Sequence, residues 1–138
     1  MTTYIDPTTE QFRAMMKDPW DGPLHMLNLI RLNEQAAYED GREATGAEAY
    51  AAYGRESEPV FKRVGGEIVW SGSASLMVIG PGDKQWDLAF IAAYPSASAF
   101  GDMVKDPAYQ AIVFHRQAAV RDSRLIRFRP RASGSGFA

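Results

Sequence analysis

Apolar residues recur along this chain with a helical spacing in some stretches and a strand-like spacing in others, and the order of the two spacings defines an architecture. Residues 24–32, LHMLNLIRL, are apolar on both parities, which suits a strand covered on both faces. Alternation puts His25, Leu27, Leu29 and Arg31 on one face and Met26, Asn28 and Ile30 on the other. Residues 47–64 carry Tyr50, Tyr53, Val60 or Phe61, and Val64 on a helical stripe that Gly65-Gly66 ends, and Pro59 is expected to kink or restart that helix. Residues 67–79 alternate as one long strand, with Ile68, Trp70, Ala74, Leu76 and Val78 against Val69, Met77 and Ile79, and a bulge is expected at Ser71-Gly72-Ser73. The turn Gly80-Pro81-Gly82-Asp83 then leads into an apolar strand over 86–93, completing a hairpin.

The last third repeats the strand–helix–strand order. Ser96 caps a helix over SASAFGDMV, Asp106-Pro107 restarts a helix that runs through Val120, and SRLIRF closes as a strand. Asp6-Pro7 and Asp18-Pro19 share the Asp-Pro signature; the first opens a short helix bearing Phe12, Met15 and Met16, and the second leads into the turn-rich PWDGP. Residues 1–23 are read as an N-terminal helix-and-turn extension, 24–129 as the domain and 130–138 as a flexible tail. Between the first strand and the second helix, residues 33–46 form a long polar loop, with one helical turn expected near Tyr38.

Two βαβ halves joined by a hairpin form a four-stranded antiparallel sheet with helices on one side, the α+β, ferredoxin-like βαββαβ arrangement with one extra N-terminal helix. A central strand that is apolar on both parities leaves the helix-free face uncovered. That face calls for a second copy, so a homodimer is expected.

Composition narrows the chemistry. The 138 residues are 46% hydrophobic, enough for one domain with a core. A net charge of −2 and a pI near 5.7 argue against a nucleic-acid partner. The six arginines from Arg116 to Arg131 are read as a solvated strand edge. There is no cysteine, which excludes disulfides, thiolate metal sites and cysteine nucleophiles. No run approaches the roughly 20 apolar residues of a membrane span, and the start lacks a leader pattern, so a cytoplasmic protein that begins as made is expected. Hydrolase-elbow and nucleotide-loop motifs do not occur, and with only His25 and His115 neither a metal nor another cofactor is expected.

Candidate chemistry therefore rests on scattered side chains. His115 is the candidate base, with Arg116 beside it or Arg31 at the strand end as anion holder; a surface His-Arg pair contacting carboxylates is the structural alternative. Asn28 interrupts an apolar strand and needs a hydrogen-bond partner, from a ligand or from the protein itself. Tyr50, Tyr53 and Trp70 are candidate walls of a flat pocket, although their spacing also fits core packing, and Tyr38 is placed to close over it.

Five segments resemble the DUF1330 family within the dimeric α/β-barrel superfamily: MLNLIRL at 26–32, AYAAYG at 49–54, GGEIVWSG at 65–72, WDLAFIAAYPSASAFGDMVKDPAYQ at 86–110 and HRQAAVRDSRLI at 115–126. The resemblance spans about residues 24–128. It implies ferredoxin-like subunits paired sheet to sheet into a dimeric α/β barrel, but it carries no settled reaction and no catalytic residue. Enzymes of the wider superfamily include monooxygenases, isomerase-like and lactone-forming proteins. The expectation is a small homodimeric protein with a cavity between sheet and helices, acting without a cofactor on a small organic molecule. The alternative is a non-catalytic ligand-binding or stress-associated protein. A haem-degrading monooxygenase ranks last, because the spacing of Asn28, Trp70 and His115 is unlike that of those enzymes.

Overall fold

The computed structural model describes residues 2–83 and 86–137; residue 1 of the expected extension, residues 84–85 of the β2–β3 connection and residue 138 of the expected tail lie outside them. The elements are α1 (Thr9–Lys17), β1 (Leu24–Leu32), α2 (Gly46–Arg63), β2 (Glu67–Ser73), β3 (Leu88–Tyr94), α3 (Ala97–Lys105), α4 (Pro107–Gln110), α5 (Phe114–Ala119) and β4 (Val120–Phe128). The strands form one antiparallel sheet in the order β2-β3-β1-β4, the ferredoxin-like topology.

Strand β1 is central. Its inward residues Leu24, Met26 and Ile30 are buried under the helices, as the alternation predicts. Cross-strand register carries that face through Phe90, Ala92 and Tyr94 of β3 and Ser123, Leu125 and Arg127 of β4. The outward face holds His25, Leu27, Leu29 and Arg31, with Ile91 of β3, Trp70 of β2, and Ile126 and Phe128 of β4. Among the described residues no helix covers it, and Trp70, Ile126 and Phe128 stay about half exposed.

Local chemistry explains most helix limits. Thr45 and Glu48 form a reciprocal capping box on α2, with bonds of 3.0 and 2.8 Å. Its end is a Schellman turn: Gly65, at φ +88°, donates to Lys62 O, and Gly66 donates to Phe61 O. Ser96 caps α3 through the Ala99 amide, and Asp106 caps α4 through the Ala108 amide, with Pro107 at its first position.

Several sequence expectations need correction. Helix α2 continues through Pro59 without a restart; Pro59 and Arg55 both lie on its exposed side, where the Arg55 carbonyl that loses its helical partner is open to solvent. The expected helix from Asp106-Pro107 to Val120 is two short helices. Between them the β-branched Ile112 and Val113 lie in a tightened turn, with Ile112 N–H on Tyr109 O and His115 N–H on Ile112 O, and Val120 already belongs to β4. Asp6-Pro7 does not open α1. Thr8 caps it, in a box with Gln11, while Asp18 ends the helix and accepts the Trp20 amide at 2.9 Å. The long strand over 67–79 stops at Ser73, because its partner β3 begins at Leu88 and the last rung is Ala74 N–H to Asp87 O. The register shift falls between Ile68 and Trp70 instead of at Ser71-Gly72-Ser73. Loop 33–46 has one hydrogen-bonded turn at Tyr38, where Gly41 N–H donates to Tyr38 O at 3.1 Å, and no helix; a bridge between Gln35 and Thr45 and bonds to the carbonyls of Ala118 and Ala119 hold it.

Two losses calibrate this fold by urea denaturation. Ile30→Ala empties a fully buried central-strand site and is expected to cost about 2–5 kcal/mol. Thr45→Ala removes one half of a capping box and is expected to cost about 1 kcal/mol.

Candidate functional site

The helices and the N-terminal segment do not close fully on the inner sheet face. They leave a cleft of about 2040 Å³ that opens to solvent. Its floor includes Met26 and Asn28 of β1, Phe90 of β3, and Ser123 and Leu125 of β4. Tyr50, Tyr53 and Ser57 of α2, Tyr109 of α4 and Arg116 of α5 form one wall, and residues 4–9 with Gln11 and Phe12 form another.

The cleft is rich in phenols. Tyr53 and Tyr109 share a hydroxyl–hydroxyl bond of 2.7 Å, and their rings meet edge to face with centroids 6.1 Å apart. Tyr50 lies 5.5 Å from Tyr53, centroid to centroid. Burial pushes the hydroxyls of Tyr50, Tyr53, Tyr94 and Tyr109 above the ordinary phenol value; at Tyr53 the bond from Tyr109 works in the opposite direction. They therefore stay protonated at neutral pH, fit to give and accept hydrogen bonds and unfit as bases. Asn28 donates to Met26 O at 3.1 Å, leaving its side-chain carbonyl without a partner among the described residues. The Tyr50 hydroxyl is likewise unbonded among them, and since no fully buried side-chain polar atom lacks a partner, it reaches solvent-accessible space.

Arg116 lines the cleft but is committed. It donates to Ile5 O at 2.5 Å and to Ser123 Oγ at 3.3 Å, and lies 3.6 Å from Asp6. It ties the N-terminal segment to the sheet, with Ser123 Oγ donating to Tyr4 O and Tyr4 N–H donating to Asp122. The far end of this segment is held by Asp18, which pairs with Arg127 at 2.8 Å and with Arg129 at 3.5 Å.

His115 stands apart from the cleft. It is buried, with Nε2 at 2.9 Å from Glu56 and Nδ1 at 2.6 Å from the Tyr38 hydroxyl. In the neutral ring the carboxylate favours the Nε2–H tautomer, in which the phenol donates to Nδ1. The Phe114 ring lies on the imidazole at 4.1 Å, and the Arg42 guanidinium lies over Tyr38 at 4.5 Å. This chain of groups pins loop 33–46 to α2 and α5.

The residues singled out by sequence thus fall into three places. Asn28, Tyr50, Tyr53 and Arg116 meet in the cleft; Tyr38 and His115 form the link beside it; Trp70 and Arg31 lie on the outward face, Arg31 near Trp86, Asp87 and Arg121 in a small recess. Tyr109, Ser123, Glu56 and the wall formed by residues 4–9 were not foreseen. Tyr53 and Tyr109 are 56 positions apart, so no local spacing announces their bond. Among the described residues, no group of three His, Cys, Asp or Glu is placed to hold a metal ion.

Sheet order and helix placement define a ferredoxin-like α+β fold with a cleft on its covered face. More specifically, residues 41–127 match the model of a domain of unknown function, DUF1330, and the chain belongs to that family. The methylated RPA0582 protein is 59% identical to this chain, covers 97% of it and 99% of itself, and superposes with a TM-score of 0.93. A second structure of RPA0582, a protein of unknown function from Rhodopseudomonas palustris, is 58% identical over 95% of this chain and 99% of its own, with a TM-score of 0.91. SnoaB, a cofactor-independent oxygenase from Streptomyces nogalater, shares the fold at 17% identity and a TM-score of 0.54, over 84% of this chain and 99% of its own. A dimeric protein of unknown function and ferredoxin-like fold from Bacteroides fragilis does so at 12% identity and 0.50, over 79% and 97%. No curated protein matches the chain.

Two tests follow from these links. Tyr38→Phe leaves the buried Nδ1 unpaired and is expected to cost about 1–3 kcal/mol. Amide exchange at Ala36 and Ala37 should quicken; unchanged rates would show that the loop holds without the link. The second concerns acid. The Trp20 amide first, and then Arg127, hold the Asp18 carboxyl below its ordinary value. Its contribution is complete above the usual carboxylate range, near pH 4, and is lost as pH falls through the lowered native value. Urea midpoints should therefore drop as pH falls below the usual carboxylate range in the parent protein and drop less in Asp18→Asn.

Proposed function

We propose that this chain forms a homodimer in which each subunit holds a small, flat organic molecule in the cleft between sheet and helices, and acts on it without a cofactor. The observation that carries the reading is the convergence of the Tyr53–Tyr109 hydroxyl pair, the unbonded Tyr50 hydroxyl and the Asn28 carbonyl on one aromatic-walled space. Ring faces supply flat apolar area, and the neutral hydroxyls and amide supply directional hydrogen bonds to carbonyl or hydroxyl groups of the ligand.

The fold shared with a cofactor-independent oxygenase supports the catalytic half of the reading as analogy. The phenols and the engaged Arg116 favour orientation of a reactive molecule over acid–base catalysis by the protein. That same neutrality favours a second reading, a non-catalytic binder using the same cleft. The half-exposed apolar outward face supports the dimer, as does the dimeric neighbour of the same fold.

A thermal-shift screen of planar phenols, quinones and aromatic ketones tests the site, because a ligand at a hundred times its Kd adds about 2.7 kcal/mol. Hits should lose most of their shift in Tyr53→Phe and Asn28→Ala. A shift that survives both would move the ligand elsewhere. Mass spectrometry of each incubated hit then separates turnover from binding alone. Light scattering at micromolar concentration should give twice the chain mass, and Ile126→Arg should halve it; a monomeric parent protein would refute the pairing.

A further inference from the structure

Beyond Ser73 the chain stays apolar, with Leu76-Met77-Val78-Ile79, but leaves the sheet and bends at 78–80. Among the described residues, Ala74 is the one member of 74–79 whose backbone N–H is paired, to Asp87 O at 2.9 Å. Leu76, Val78 and Ile79 are 80%, 83% and 93% exposed. Three aliphatic side chains held in water on a segment outside the sheet are a cost with no return inside a single chain.

The segment leaves the sheet at the end of β2, whose Trp70 and Gly72 belong to the outward face. It therefore adjoins the outward face at the Leu29 end of the sheet, where Gly72 pairs with Ala89 and Ala89 with Leu29, next to Trp70 and Ile91. We propose that residues 74–79 are an arm that packs on a second copy of this chain, while the arm of that copy packs reciprocally on the first. The proposal rests on the reading that the outward faces pair.

Two arguments select a second copy as the occupant. A two-fold pairing gives every copy one face and one arm, so each arm starts from the rim of the surface on which its partner sits. A stable dimer also needs about 800 Å² from each partner, and the outward side chains are already about half covered within the sheet. Three almost wholly exposed aliphatic side chains at the rim supply a large part of the remainder. They also extend the contact past the flat face, where sheet stacking alone leaves the dimer free to slide.

The absence of cysteine makes the test clean. Ile79→Cys carries a solvent-sensitive fluorophore, and its emission is followed through the monomer–dimer transition beside the sedimentation-derived dissociation constant. Emission should shift to the blue as the dimer forms, and L76S/V78S/I79S should weaken dimerisation by at least about a hundredfold. These side chains make little contact within the chain, so the triple variant should keep the parent circular dichroism. An emission that stays red while the dimer forms, or an unchanged dissociation constant in the triple variant, overturns the arm and leaves face pairing intact. A blue label in monomeric Ile126→Arg also overturns it, since the arm would then fold on its own subunit. A monomeric parent protein removes both readings.

Discussion

A single constraint organises this molecule: β1 is apolar on both faces, and the two crossovers can cover one of them. Strand–helix–strand connections are right-handed, so both halves deliver their helices to the same side of the sheet. The covered side becomes a core with a cleft. The other side remains an apolar surface made from Leu27, Leu29, Ile91, Trp70, Ile126 and Phe128. The cleft and the bare apolar surface are thus opposite faces of the same four strands.

On the covered side, polar groups are what keep the space from collapsing into ordinary core. Leu24, Met26 and Ile30 are fully packed, but between them on the same face stands Asn28, which no aliphatic contact can satisfy. Above it the phenols of Tyr50, Tyr53 and Tyr109 offer ring area at the core and hydroxyls toward the cleft. Residues 4–18 finish the wall: Ile5, Phe12, Met15 and Met16 pack on the core, and polar contacts tie both ends, Arg116 and Asp122 near Tyr4, Arg127 and Arg129 at Asp18.

His115 shows how burial changes the meaning of a residue. In the sequence it is a candidate base beside an arginine. In the folded chain both ring nitrogens are engaged, by Glu56 and Tyr38, and the imidazole is the rivet of loop 33–46. Its neighbour Arg116 turns the other way, into the cleft, where backbone and hydroxyl acceptors already use its donors. One residue of helical rotation separates the two environments.

Element order, the face assignment of β1, the Ser96 and Asp106 caps and the end of α2 at Gly65 were legible in the residues themselves, because each depends on neighbours a few positions away. The limits of β2 and of the final helices were not. A strand ends where its partner ends, and alternation in 74–79 carries no information about Leu88. The same holds for the site. Asn28, Tyr50 and Tyr53 could be named as polar or aromatic residues on apolar elements, whereas Tyr109, Ser123 and the N-terminal wall join them through contacts between positions 50 to 120 residues apart. Local hydrogen bonding and side-chain period therefore determined the parts and their order; which hydroxyls converge, which histidine nitrogen meets a carboxylate and which face stays bare were decided by tertiary packing, since only the closed chain brings those distant groups within bonding distance.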